Sequence, residues 1–94
     1  MKEPIVKSAG NIFLDLGFPP EEAAVLQMRS GLMADLRNFI EGKKLTQTEA
    51  AAILGISQSR VSDLIRGKWE RFSLEMLVVL ATKAGMRISL KRAA

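Results

Sequence analysis

The side chains available for chemistry in this 94-residue chain are a restricted set, because it contains no His, no Cys and no Tyr. Without His and Cys there is no thiolate nucleophile, no imidazole base, no His/Cys metal site and no disulfide. An enzyme would have to work with carboxylates, Lys, Ser or Thr alone, and no spaced pair of acids indicates general acid–base catalysis. The sequence therefore predicts a protein that is not an enzyme and that holds no metal and no cofactor.

Short polar side chains of the kind that hydrogen-bond to base edges occur together between residues 58 and 66. At about 100° per residue, a helix here presents Ser59, Ser62, Asp63 and Arg66 opposite its apolar stripe, with Gln58 at its N-terminus. Glutamine can pair with N6 and N7 of adenine, and Asp63 can accept from a cytosine amine or pair with a neighbouring cation. The candidate base-reading residues are Gln58, Ser59, Ser62 and Asp63.

Two short helices joined by the turn 55–57 must position these side chains. Residues 46–49 have the S/T-x-x-E form of a capping box, and Ser57 can cap the second helix. Gly55 suits the turn because a positive φ costs little only for glycine. The apolar residues of this unit are predicted to be structural. Ala51 lies at the helix crossing and Ile56 beneath the turn, and the buried stripe of the second helix consists of Val61, Leu64 and Ile65.

Helices are also predicted on both sides of this pair. Pro19-Pro20 followed by two acids begins a helix whose buried stripe includes Leu36 and Ile40, and Gly42 is expected to end it. Because Ser30-Gly31 interrupts the pattern, one long helix and two shorter ones both remain open. Ser73 is expected to cap a last helix with Leu74, Leu77, Val78 and Ala81 on one face, anchored by Phe72 and closed by Gly85.

The two ends of the chain have different patterns. Residues 1–18 predict an irregular arm or a short strand. Near the C-terminus, Met86, Ile88 and Leu90 alternate with polar residues, which is typical of a half-buried strand. A lone strand leaves its backbone groups unsatisfied, so it needs a partner strand from the arm or from a second copy.

The net charge of +4 is unevenly distributed. Residues 1–42 sum to −2, residues 43–82 to +2 and residues 83–94 to +4, so an anionic partner should meet the middle and the C-terminus. The N-terminus has no apolar run of signal-peptide length and no segment could span a membrane, which predicts a cytoplasmic protein. The candidate phosphate contacts are Lys43, Lys44, Thr46, Ser57, Arg60, Arg66, Lys68 and Arg71. Each cation in this set could equally be an ordinary solvated charge.

The spaced residues Gln47, Ala51, Gly55-Ile56, Val61 and Leu64, followed by Gly67-Lys68, resemble the helix-turn-helix of the Xre/lambda-repressor-like family. The resemblance implies an all-α, five-helix DNA-binding domain, placed at residues 19–85 between the irregular arm at 1–18 and the short β-strand at 86–94. The unpaired backbone groups of that strand predict that residues 86–94 are a dimerisation element. The resemblance also implies that residues 58–66 form the recognition helix, that Gln47 contacts a phosphate, and that Gln58, Ser59 and Ser62 meet base edges.

A narrower resemblance rests on residues 10–18, on 58–64 and on Gly67-Lys68 with Arg71-Phe72-Ser73. These segments are similar to short bacterial antitoxins of the HigA type, which are partners of RelE-like toxins. The resemblance implies a repressor that binds its own operator and neutralises a toxin. The motif, the charge gradient and the unpaired C-terminal strand predict that this repressor is a homodimer on a pseudo-palindromic operator. The alternative is a protein-interaction module whose main role is to bind a partner protein, with Ile12, Phe13 and Phe18 docking on that partner.

Overall fold

A computed structural model describes residues 11–90 and Arg92, and this part of the chain is all-α. Its elements, in chain order, are α1 (Ile12–Asp15), α2 (Pro20–Gly42), α3 (Gln47–Leu54), α4 (Gln58–Ile65), a 3-10 turn (Trp69–Arg71) and α5 (Leu74–Lys83). The all-α prediction is confirmed and the described residues form five α-helices, but α1 lies in the predicted arm and residues 19–85 hold four, because 20–42 is a single helix. None of the helices within the described ranges is long and apolar enough to cross a membrane.

The longest helix, α2, is continuous through Ser30-Gly31, so the two-helix alternative is wrong. Pro20 occupies the first helical position, where its missing N–H costs no hydrogen bond. The helix ends at Gly42, as predicted, and the residue that takes the left-handed conformation after it is Lys44, at φ 54°. A helix of this length supplies one wall of the core.

The core lies where α2, α4 and α5 meet around Phe72. Phe72 is completely buried, as predicted for the residue that anchors α5. The sequence placed Ile65 in the buried stripe of α4, but Ile65 is 36% exposed, because the short helix ends there and only Val61 and Leu64 turn inward. Helix α3 also contributes to the core, through Ala50 and Leu54. The fully buried large side chains are Phe72, Leu36, Leu54, Leu64, Leu77 and Val61.

The arm is more ordered than predicted from Asn11 onward. Residues 12–15 form a helical turn instead of an irregular segment or a strand, because the Asn11 Oδ1 accepts the Phe13 N–H at 2.9 Å and caps it. The Asn11 Nδ2 donates to the Ala23 carbonyl on α2 at 2.9 Å, and the Phe13 and Phe18 rings meet edge to face. The first ten residues of the predicted arm lie outside the described residues.

The predicted C-terminal strand is not formed within the described chain. After Gly85, at φ 91°, the Met86 N–H donates to the Ala81 carbonyl and closes α5, and residues 86–90 then join no sheet. The physical reason is the lack of a partner strand, since the described part of the arm is helical. Lys91 lies outside the described residues.

Candidate nucleic-acid interface

Local hydrogen bonds set the geometry of the α3–turn–α4 unit. The Thr46 Oγ1 accepts the Glu49 N–H at 3.1 Å while the Glu49 Oε1 accepts the Thr46 N–H at 2.8 Å, so the capping box is confirmed. Gly55 has φ 71°, and the Ser57 Oγ accepts the Arg60 N–H at 3.2 Å. The two helix starts and the turn between them are therefore specified by side chains within a few residues of each other.

The packing of α3 differs in one respect from the prediction. Ala50 is completely buried at the centre of the core, whereas Ala51 is half-buried against it. The Ala51 carbonyl accepts both the Gly55 and the Ile56 N–H groups, at 2.8 and 3.1 Å, which draws the turn back onto the helix. Ile56 packs against the core, half-buried.

The polar face of α4 is open at its N-terminal end. Gln58 and Ser59 are exposed, and Ser62, one turn further along, is half-buried. Arg66 caps the other end of the helix and is exposed. Side chains at this helix start project away from the core, so they are free to contact a ligand that approaches the unit from outside.

Asp63 faces a cation of its own chain. Its Oδ2 lies 3.6 Å from the Arg71 Nη1 on the 3-10 turn, and its side chain is 15% exposed while that of Arg71 is 58% exposed. Of the two sequence-based alternatives for Asp63, pairing with a neighbouring cation is present in the structure. Because one partner is well solvated, the pair contributes little to stability.

Arg60 is folded back onto the same turn. Its Nη1 donates to the Arg71 carbonyl at 3.0 Å and lies 3.7 Å from the Met76 Sδ, while the guanidinium sits 5.7 Å from the Phe72 ring centroid. The side chain is half-buried. Arg60 was predicted as a phosphate contact, yet its donors point toward the fold instead of outward from α4.

The remaining predicted contacts surround these two helices. Lys68 is half-buried beside the 3-10 turn. The Lys43 Nζ lies 5.7 Å from the Phe39 ring centroid, at the end of α2. The exposed members of the predicted set are Lys43, Lys44, Thr46, Gln47, Ser57, Arg66 and Arg71.

Arg29 holds the 3-10 turn beside α4 in place, a role that the sequence did not predict. Its Nε donates to the Phe72 carbonyl at 2.9 Å and its guanidinium lies 5.5 Å from the Trp69 ring centroid, so it ties α2 to the 3-10 turn. Trp69 itself is 39% exposed. No local signal could have found the contact of Arg29, because 43 residues separate the hydrogen-bonded pair.

Two capped helices joined at a left-handed glycine, the second with an open polar face, define a helix-turn-helix domain, a class that docks in the major groove of DNA. A family model described as a helix-turn-helix domain matches residues 12–91, and the chain belongs to that family. No curated protein matches the chain. Membership of this family indicates a DNA-binding regulator.

Proposed function

We propose that this protein is a sequence-specific repressor that binds double-stranded DNA in the cytoplasm and has no catalytic role. The observation that carries the proposal is the open polar start of α4, where Gln58 and Ser59 are exposed beyond a rigid, capped turn. A recognition helix reads bases mainly through its N-terminal residues, so this is the end that must be free. Ser62 and Asp63 complete the base-reading set in the proposal.

Phosphate contacts are assigned to the exposed groups that surround this helix. Thr46, Gln47 and Ser57 lie at the N-termini of α3 and α4, where backbone N–H groups and the helix dipole favour an anion. Lys43, Lys44, Arg66, Lys68 and Arg71 add positive charge. Binding should therefore weaken steeply as salt rises, because each neutralised phosphate releases counterions.

The proposal includes a homodimer on a pseudo-palindromic operator, with residues 86–94 as its dimerisation element. Two recognition helices related by a two-fold axis reach successive major grooves about 34 Å apart. Each half-site alone would offer few base contacts. Dimerisation doubles them and makes recognition of a long site possible.

The test is binding to the DNA upstream of the protein's own gene, measured by fluorescence anisotropy against a shuffled duplex of equal length. We expect Gln58→Ala combined with Ser62→Ala to reduce the preference for the upstream DNA at least tenfold. Gln27→Ala, an exposed glutamine on α2, is the matched control and should leave the preference unchanged. Intact preference in the double variant would show that the assigned face of α4 does not read DNA.

A second role, as the antitoxin of a type II toxin–antitoxin pair that represses its own operon, is favoured by exposed apolar side chains at the N-terminal end of the described chain. Ile12, Leu14 and Leu16 on and beside α1 are 60, 48 and 67% exposed, which is unusual for clustered large apolar side chains. A cleft of about 500 Å³ is lined by Phe18, Val25, Trp69 and other residues, among them two acids, Glu21 and Glu22, and one cation, Arg29. Exposed apolar surface beside acidic residues suits a basic protein such as a RelE-like toxin.

Co-expression with the neighbouring open reading frame tests this role. We expect a small basic protein to co-purify with the wild-type chain and its growth inhibition to be relieved. Ile12→Asp with Leu16→Asp should abolish both effects and leave DNA binding intact, whereas Val79→Asp, an exposed apolar site on α5, should change neither. If the α1 variant still captures and neutralises the neighbour, α1 is not the docking surface.

A further inference from the structure

We propose that the groove between α2 and α5 receives the C-terminal segment of a second copy of this chain. The groove measures about 860 Å³ and is lined mainly by apolar side chains, among them Leu32 on α2 and Val78 on α5. Residues 87–90 form its third wall. The inference rests on the homodimer of the proposed function and names the surface that would form it.

The groove is open at its α2 side because Gly31 stands there. A Cβ built on Gly31 would meet nothing within 4 Å, so the space above this residue is vacant. Met28, one turn earlier on the same helix, is 40% exposed and also lines the groove. Vacant space beside exposed apolar side chains is a surface that a second apolar segment can fill.

The C-terminal segment has the complementary features. Leu90 is 76% exposed and Ile88 is 42% exposed. Within the described part of the chain, the backbone hydrogen bond of residues 86–90 is the one from the Met86 N–H to the Ala81 carbonyl. A segment with free backbone groups and alternating apolar side chains is suited to antiparallel pairing with an identical segment.

Charge favours a second copy over a different partner. Asp35 on α2 and Arg87 on the C-terminal segment both line the groove. In a two-fold contact the same patch meets itself, so each Arg87 can face the Asp35 of the other copy. A second copy thus brings an Arg87 to meet Asp35 and an Asp35 to meet Arg87. A partner surface of uniform charge would leave either Asp35 or Arg87 without an opposite charge.

Sedimentation velocity on the full chain across a concentration series tests whether a second copy occupies the groove. We expect the wild-type chain to be a dimer, and both Leu90→Glu and Gly31→Leu to raise the dimer dissociation constant at least tenfold. Gly31→Leu places a Cβ where nothing lies within 4 Å, and circular dichroism checks that the variant folds. Val79→Glu is the control, since Val79 is 48% exposed on α5 but does not line the groove, and it should leave the dimer intact.

Exchanging the charges of Asp35 and Arg87 tests whether these two residues face each other across the dimer. Asp35→Arg and Arg87→Asp should each weaken the dimer, and the chain that carries both changes should recover it. A wild-type chain that stays monomeric, or groove variants that dimerise as tightly as the wild type, would overturn the inference. A double exchange that stays as weak as the single ones would overturn the register that pairs Arg87 with Asp35.

DNA binding separates this inference from the proposed function. Leu90→Glu should still bind a single half-site, with the loss confined to cooperative binding of the full operator. If the wild-type chain binds no DNA but its dimer depends on the groove, the groove inference stands and the repressor proposal fails. The converse result, with operator binding intact and a dimer insensitive to the groove, removes the inference alone.

Discussion

The Asp63 carboxylate on α4 lies 3.6 Å from the guanidinium of Arg71 on the 3-10 turn that follows it. One acid therefore shields the charge of a cation that is otherwise 58% exposed and is proposed to meet DNA backbone. The pair connects the face of α4 that is proposed to read bases to the 3-10 turn, which carries the positive charge of Arg71. The ion pair contributes little to folding stability, but the carboxylate directly lowers the positive potential around Arg71.

Asp63→Asn should tighten binding to random-sequence DNA by about two- to fivefold, the factor that corresponds to a largely exposed ion pair. The substitution frees Arg71 and removes a negative charge from the proposed interface. Anisotropy with a random duplex at two salt concentrations measures the change. Glu70→Gln removes the same charge one residue from Arg71, leaves the pair intact and should have a smaller effect; weaker random binding by Asp63→Asn would contradict the argument.

Arg60→Met should lower the free energy of unfolding by about 1–3 kcal/mol, because it removes a charged donor from the Arg71 carbonyl and a cation from the Phe72 ring. The salt dependence of DNA binding should not change, since this guanidinium faces the fold. Arg66→Met, at an exposed cation, should do the reverse: near-normal stability, with a log–log salt slope smaller by about one. A reduced slope in Arg60→Met would restore Arg60 as a phosphate contact.

Gly55→Ala should destabilise the domain by about 1–2 kcal/mol, the usual cost of a left-handed residue that carries a Cβ. The new Cβ would also lie 2.9 Å from the Lys83 Nζ, but that side chain can move. Combining it with Lys83→Ala should therefore not recover the loss. Gly42→Ala, where a Cβ meets nothing within 4 Å, is the matched control in urea unfolding and should be neutral or stabilising.

Phe72→Ala should cost about 3–5 kcal/mol, the range for emptying an aromatic site in a core. Phe72→Leu keeps most of the volume and should cost much less. Thermal and urea unfolding measure both. Equal losses for the two variants would mean that the ring contributes through its contact with Arg60 and not through its volume.

The elements that the sequence predicted well are those whose cause lies within a few residues. The Thr46–Glu49 capping box, the caps at Ser57 and Ser73 and the left-handed Gly55 are all confirmed. Each depends on a hydrogen bond or a dihedral preference that spans at most one helical turn. The residue types that offer these bonds are few, so their presence at the right spacing is informative.

Other features were decided by contacts that no local pattern contains. Arg60 looked like one more solvated cation until the structure placed it against Met76, 16 residues away. The docking of the arm on α2 depends in the same way on the hydrogen bond from the Asn11 Nδ2 to the Ala23 carbonyl, 12 residues away.

The sequence alone thus determined the helix-turn-helix and the exposure of Gln58 and Ser59, because capping, turn geometry and helical periodicity act over short distances. Only the tertiary structure decided which cations face outward and which are held by the fold. It also decided that residues 86–90 find no partner strand in the described chain and that a groove opens beside them. Those outcomes depend on where α2, the 3-10 turn and α5 meet, which is settled by packing between distant segments.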